Sequence, residues 1–322
     1  MNGSVGHRAI KAEDLQKTIA DEYSTDFKPF HDLVLARQPL IELDGDLYCV
    51  SANHLCQKLS ESLYHTLVDE KKIPDKKRRG SIRTYLGNVF EDYVISLLRR
   101  IYPDSSLAPR IVRPDKLKHD LGLKDAPELC DLAIICPTRV ILIEQKTSIM
   151  PVDARTGLDV DSVLNYIDTR IIKAASQLHS TINMIEAGKF REHGLDPTWI
   201  KRYIPLFLTL EHSISSPFID RRVRQELRNE GILQSQKTEQ LQLIDIGEIE
   251  WLEAAVNKGQ AIDDLLVRDW ADSEQPFHNY WVSKDEQFVR EGNAHLIGIF
   301  GRLQHHAREY FNAHTKKDSQ TL

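Results

Sequence analysis

The sequence predicts an α/β fold in which a small mixed sheet lies between helices. From about residue 82 onward, helical and strand patterns follow one another in the order helix, three strands, helix, strand. The composition is 41% hydrophobic and 28% charged, as in globular proteins that bury a substantial core. A length of 322 residues is enough for about two domains.

Residues 1–80 are predicted to form a hairpin, a helix and a basic linker. Asp44-Gly45 separates two extended apolar segments, and this dipeptide is typical of a two-residue hairpin turn. Leucines at every fourth position from Leu55 to Leu67 predict a helix with one buried face. The basic segment 71–83 then separates this region from the rest of the chain.

The predicted core, residues 81–215, begins with a helix over about 82–102 that has one apolar face. Three strands follow, and the last two are joined at Pro137-Thr138 as an antiparallel hairpin. A long helix and one more buried strand complete the core. These predicted segments run from Leu107 to Val112, Leu129 to Cys136, Arg139 to Lys146, Ser162 to Ala187 and Tyr203 to Leu210.

Residues 216–322 are predicted to be a mostly helical C-terminal region. It starts with a basic helix from Phe218 to Asn229. A strand from Leu241 to Ile246 leads into a helix at 247–257. The chain ends in a polar tail, for which no element is predicted.

The charge balance limits how this chain can meet a polyanion. With 42 basic and 48 acidic residues the formal net charge is −6, which excludes a globally basic nucleic-acid-binding protein. A local patch is still available, because seven basic residues and one acid lie between Lys71 and Arg83. A solvated linker is the alternative interpretation of this patch.

Cytoplasmic localisation is expected. The N-terminus has no apolar segment typical of a secretory signal, and no apolar run approaches the ~18 residues of a membrane span. Four cysteines in a chain of this length, none of them in a C-x-x-C pair, do not predict a disulfide framework.

Charged residues interrupt two otherwise apolar strands of the predicted hairpin. Strand alternation puts Glu144 and Lys146 on one face, and a turn at Pro137-Thr138 places Asp131 opposite Glu144. Two opposed carboxylates repel unless a positive group lies between them, and Mg²⁺ prefers such oxygen ligands. Lys146 could orient the attacking water or neutralise charge on a phosphate. A surface ion pair at a strand end is the alternative.

A third acid, Glu91, borders the apolar face of the first core helix. An acid at the edge of a buried face usually has a partner, so Glu91 joins the candidate site.

Together these residues resemble the PD-(D/E)XK nuclease superfamily, whose signature is a helix acid, a strand acid and an E-x-K tripeptide on the next strand. The helix sequence from Gly87 to Val94 carries Glu91, Asp131 is the strand acid, and Glu144 to Lys146 is the tripeptide. The resemblance covers about residues 80–215 and implies a restriction-endonuclease-like core.

The resemblance implies Mg²⁺-dependent hydrolysis of phosphodiester bonds, most often in DNA, with Mn²⁺ able to substitute. It implies that Asp131, Glu144, the Gln145 carbonyl and Glu91 bind the metal, with Lys146 and Gln177 completing the catalytic set. Relatives with a hairpin–helix element before this core are stand-alone prokaryotic nucleases of restriction or anti-phage type. The candidate nucleic-acid contacts are Lys76, Lys77, Arg78, Arg79, Arg83 and Lys173.

The chain departs from the family pattern at two positions. Some members carry a Q-x-x-x-Y motif on the helix of Gln177, but here the fourth residue after it is Thr181. Cys130 replaces the proline that precedes the strand acid.

Two functional alternatives stay open: a non-catalytic nucleic-acid-binding or assembly subunit, and an RNA-directed nuclease. The sequence also leaves open whether a nuclease of this kind would cut as an endonuclease or an exonuclease. A homodimer or a partner defence subunit is also open, and no membrane partner is expected.

Overall fold

The computed structural model forms two compact units, residues 1–89 with 151–163 and residues 90–150 with 164–322. The residues that the structure describes are 9–11, 13–17, 40–44, 46–49, 73–102, 110–122, 127–147, 150, 159–210, 216–267, 295–299, 301–302, 305–306 and 309.

The first unit contains a three-stranded sheet in the order β1-β2-β3, built from Ala9–Lys11, Leu40–Leu43 and Asp46–Cys49. The first two strands pair in parallel. The second and third pair antiparallel, which confirms the predicted hairpin, and Asp44 in the turn has a left-handed φ of 55°. The helix predicted from Leu55 to Leu67 lies outside the described residues.

The first long helix, α1 (Lys76–Ile101), begins before the predicted residue 82. Asp75 explains the earlier start, because its Oδ1 accepts hydrogen bonds from the backbone N–H groups of Lys77 (2.8 Å) and Arg78 (3.2 Å). Much of the basic segment predicted as a linker is therefore the first turns of a helix.

The second unit is built on a five-stranded mixed sheet in the order β4-β5-β6-β7-β8. The pairs β4–β5 and β5–β6 are antiparallel, whereas β6–β7 and β7–β8 are parallel. Strand β8 extends this sheet past residue 215, where the predicted core ends. The strands are Arg110–Val112, Leu132–Ile135, Arg139–Lys146, Arg202–Thr209 and Gln242–Asp245.

The remaining helices follow the sequence prediction with two differences. A short helix after β4, beginning at Pro114, was not predicted. A π-helical segment, Ile167–Ile172, interrupts the long helix predicted after β6. In chain order the helices are α2 (Pro114–Asp120), α3 (Val160–Tyr166), α4 (Lys173–Glu186), α5 (Pro217–Glu230), α6 (Ile246–Asn257) and α7 (Ile262–Leu266).

Helices cover both faces of the five-stranded sheet. One face packs against α1, α6 and α7 through a core that includes Leu98, Ile143 and Leu252. The other face packs against α4, which contacts β6 and β7. Because side chains alternate along a strand, the odd-numbered residues of β6 face α1 and the even-numbered residues face α4.

Three described cysteines are free: Cys49 is exposed, and Cys130 and Cys136 are buried. Within the described part of the chain, no helix combines the length and apolar character needed to cross a membrane.

Candidate functional site

The β5–β6 hairpin places Asp131 opposite Glu144, as the sequence predicted. The observed register pairs Leu132 with Ile143 and Ile135 with Val140. Continued by one residue, it sets Asp131 against Glu144 at the end of the hairpin away from its turn. The strand itself begins at Leu132, so Asp131 lies just outside the hydrogen-bonded ladder.

Glu144 is a fully buried acid, with 0% of its surface exposed. Its Oε1 accepts a hydrogen bond from Nζ of Lys146, whereas its Oε2 is buried without a hydrogen-bond partner among the described residues. Burial raises the pKa of Glu144 to about 8, with the neighbouring charge of Asp131 adding to the effect and Lys146 opposing it. A buried carboxylate oxygen without a hydrogen-bond partner is a candidate metal ligand.

Asp131 is held by the neighbouring strand. Its Oδ2 accepts a hydrogen bond from the backbone N–H of Gln145 (2.7 Å). Burial raises the pKa of the Asp131 carboxyl, while this hydrogen bond and the charge of Lys146 lower it. The backbone of the hairpin therefore holds the Asp131 carboxylate.

Lys146 connects the hairpin to α4. Its Nζ donates to Glu144 and lies 3.4 Å from Oε1 of Gln177. The side chain of Lys146 is 25% exposed, so it is still partly accessible to solvent. The structure thus brings together four predicted residues: Asp131, Glu144, Lys146 and Gln177.

Gln145 points to the opposite face of the sheet, as alternation predicts. Its side chain is buried, and both of its amide atoms lack a hydrogen-bond partner among the described residues. Only its backbone belongs to the site, through the N–H that Asp131 accepts.

Glu91, which the resemblance implies as a metal ligand, is placed on the side of the sheet away from Glu144. Its Oε1 forms an ion pair with the guanidinium of Arg113. The physical reason is the packing of α1, which covers the face towards which Gln145 points, whereas Glu144 points towards α4. No three His, Cys, Asp or Glu residues of the described ranges are grouped so that they could hold one metal ion.

Two acids near the site were not predicted. Burial is the main cause that raises the pKa of Asp131, and the charge of Asp115 in α2 adds a smaller contribution in the same direction. The Oδ1 of Asp115 is buried without a described hydrogen-bond partner. Glu128 forms a 3.0 Å ion pair with Lys173, and its pKa is lowered first by the hydrogen bond from Lys173, then by the charge of Lys173 and, to a smaller extent, by that of Lys146. The sequence offered only the Pro114-Asp115 start of a helix, which does not point to a site.

Five of the six predicted nucleic-acid contacts are exposed, whereas Arg79 is buried. Lys76, Lys77, Arg78 and Arg83 are exposed on α1. Arg79 is only 8% exposed, and its guanidinium donates to the carbonyls of Ile73 (2.6 Å) and Pro74 (2.8 Å), so it holds the helix start instead of facing solvent. Lys173 is exposed and forms an ion pair with Glu128, and an exposed ion pair of this kind contributes little to the stability of the fold.

Comparison with family models, with curated proteins and with solved structures gives no significant match for this chain.

The buried Glu144 gives the metal-free protein a specific pH dependence. Its pKa is about 8 when folded and near 4.5 when unfolded, so between these values the folded state binds the additional proton. The stability from this group is complete below pH 4.5 and is lost as the pH rises towards 8. Glu144→Gln should remove this loss, which is at most about 5 kcal/mol at ~1.36 kcal/mol per pKa unit.

The measurement is urea unfolding of wild type and Glu144→Gln at pH 5 and pH 8 in EDTA. The variant should gain stability over wild type at pH 8 but not at pH 5. Glu230→Gln, which changes an exposed acid at the end of α5, is the control. The same wild-type-to-variant difference at both pH values would contradict the shifted pKa.

Proposed function

We propose that this chain is a Mg²⁺-dependent nuclease of the PD-(D/E)XK type that hydrolyses phosphodiester bonds, with DNA as the first substrate to test. The observation that carries the proposal is the fully buried Glu144, which stands opposite Asp131 in the hairpin register and has one carboxylate oxygen without a described hydrogen-bond partner, while Lys146 joins Glu144 to Gln177. Burying an acid next to a second acid is unfavourable for folding alone, so a bound cation is its simplest explanation.

The order of elements supports this assignment. Helix α1 is followed by three antiparallel strands, a long helix and a strand parallel to β6. This is the order that the resemblance implies for a restriction-endonuclease-like core. Helix α2 and strand β8 are additions to it.

The donor set fits Mg²⁺. Asp131 and Glu144 supply two carboxylates, and the Gln145 carbonyl is the third candidate oxygen. Mg²⁺ commonly takes one or two carboxylates and keeps water or phosphate oxygens in its other positions, so a group of three acids is not required. When bound, Mg²⁺ would polarise the phosphate and offset the charge that develops in the transition state. Glu91 is left out of this set because it is paired with Arg113.

The protein's own groups have separable tasks in this mechanism. Asp131 and Glu144 supply negative charge at a fixed position because the hairpin backbone orients them. Lys146, held by Glu144 and Gln177, presents an ammonium that can orient the attacking water or donate to a phosphate oxygen. Gln177 fixes the direction of that ammonium.

The decisive test removes one carboxylate charge at a time. Asp131→Asn and Glu144→Gln should abolish cleavage, because each removes a candidate ligand, while the protein stays folded or becomes more stable. Cleavage is measured on linear, circular and single-stranded DNA and on RNA, with Mg²⁺, Mn²⁺ or EDTA.

Asp92→Asn, a change to an exposed acid on α1, is the matched control. Full activity of either site variant, or of wild type in EDTA, contradicts the proposed site. Binding of nucleic acid without cleavage under all conditions favours the non-catalytic alternative.

Lys146→Ala tests the role of the ammonium. If Lys146 acts on the transition state, kcat should fall by ~10² or more while the Mg²⁺ concentration for half-maximal activity changes little. Lys189→Ala removes an exposed lysine just after α4 and controls for net charge. A Lys146→Ala variant whose only defect is weaker DNA binding would reduce Lys146 to a phosphate contact.

A further variant tests the exposed basic residues of α1. Replacing Lys76, Lys77, Arg78 and Arg83 with serine should flatten the dependence of log K on log salt by a few units, since each neutralised phosphate contributes ~0.9 on duplex DNA. The rate at saturating DNA should be preserved.

Arg79 is kept in that variant because it is buried. Arg222→Ser with Arg224→Ser is the control, because these arginines form ion pairs within α5, with Glu226 (2.6 Å) and Asp220 (2.7 Å). An unchanged salt dependence in the α1 variant, with a flattened one in the control, would move the binding surface to α5.

A further inference from the structure

Thr181 is a fully buried hydroxyl on α4, with 0% of its surface exposed. Its Oγ1 donates to the carbonyl of Gln177, one turn earlier in the same helix, at 2.9 Å. The same oxygen accepts a hydrogen bond from the backbone N–H of Cys130 at 2.8 Å. One hydroxyl therefore links the helix that carries Gln177 to the residue immediately before Asp131.

The Cys130 N–H needs this partner. Cys130 is itself fully buried, and β5 begins only at Leu132, so the N–H of Cys130 lies outside the strand ladder. A buried N–H without an acceptor is unfavourable, and threonine supplies an acceptor whose direction is set by its own bond to Gln177. A valine has nearly the same shape but supplies no acceptor.

The bond has a consequence for Asp131. The carboxylate is fixed from one side by the N–H of Gln145 (2.7 Å). The backbone leading into it is fixed from the other side by Thr181. Without the bond from Cys130 to Thr181, only the Gln145 N–H would hold Asp131, which lies just before β5. The distance between Asp131 and Glu144 would then be less tightly fixed.

We propose that Thr181 is a positioning residue for Asp131, and that Thr181 and Cys130 act as a coupled pair. The proposal rests on the metal site proposed above. These are the two positions at which the chain departs from the family pattern. The hydrogen bond explains them together: a cysteine in place of proline brings an N–H that proline lacks, and Thr181 accepts it.

The test compares Thr181→Val with Thr181→Ser, using Mn²⁺ binding by calorimetry without nucleic acid and cleavage with Mg²⁺. Losing a group that orients a metal ligand typically costs ~10–100-fold in affinity or activity. Thr181→Val should show a loss in that range, and Thr181→Ser should recover most of it because the hydroxyl returns. Ser176→Ala is the matched control, since Oγ of Ser176 in α4 also donates to a carbonyl four residues earlier, that of Ile172 (3.0 Å).

Several outcomes overturn the positioning role. Thr181→Val with wild-type Mn²⁺ affinity and kcat does so, as does a loss that Thr181→Ser fails to recover or that Ser176→Ala reproduces. Wild type that binds Mn²⁺ but cuts nothing refutes the nuclease, while Thr181 is still judged by Mn²⁺ affinity. Wild type that binds no Mn²⁺ removes both proposals.

A second comparison keeps the coupling testable if Thr181→Val does not fold. Cys130→Pro deletes the N–H, so Thr181→Val in that background leaves no unpaired donor. The double variant should fold better than Thr181→Val and bind Mn²⁺ within a few-fold of Cys130→Pro. A double variant that folds no better than Thr181→Val overturns the coupling. So does a double variant whose Mn²⁺ affinity is ~10–100-fold below that of Cys130→Pro, the loss expected for Thr181→Val in the wild-type background.

Discussion

The structure of the site depends on one unfavourable placement, the burial of Glu144 in an apolar hairpin opposite Asp131. Desolvation and the second acid both favour the protonated form of Glu144, which raises its pKa to about 8. Lys146 offsets part of this through a single carboxylate oxygen, and the other oxygen has no described partner. A hydrophobic residue would serve the core better at this position, and the metal site proposed above would account for the carboxylate.

The groups around Asp131 and Glu144 restrict the positions that these two side chains can take. Strand pairing fixes where the two acids stand, the Gln145 N–H holds Asp131, and Gln177 holds Lys146. Helix α4 follows directly after the π-helical segment Ile167–Ile172, whose wider turn changes which residues of the later helix face the sheet. The face that carries Gln177 and Thr181 is thus set jointly by this segment and by the helix itself.

Formal charge is a poor guide to which cations can meet a polyanion. Arg79 belongs to the most basic stretch of the sequence, yet it is buried and bonded to two backbone carbonyls. Arg222 and Arg224 form ion pairs within α5. Lys76, Lys77 and Arg78 are exposed, and in an acidic chain such local positions decide whether a phosphate backbone can be held.

The sequence by itself determined the α/β class, the hairpin register that sets Asp131 against Glu144, and the face shared by Glu144 and Lys146. All three follow from local rules: apolar runs, a short turn and the alternation of side chains along a strand. Tertiary structure decided the rest. Arg113 pairs with Glu91, strand β8 joins the sheet, and Thr181 meets Cys130 across 51 positions of the chain. No local pattern specifies these contacts, because each depends on how distant segments pack against one sheet.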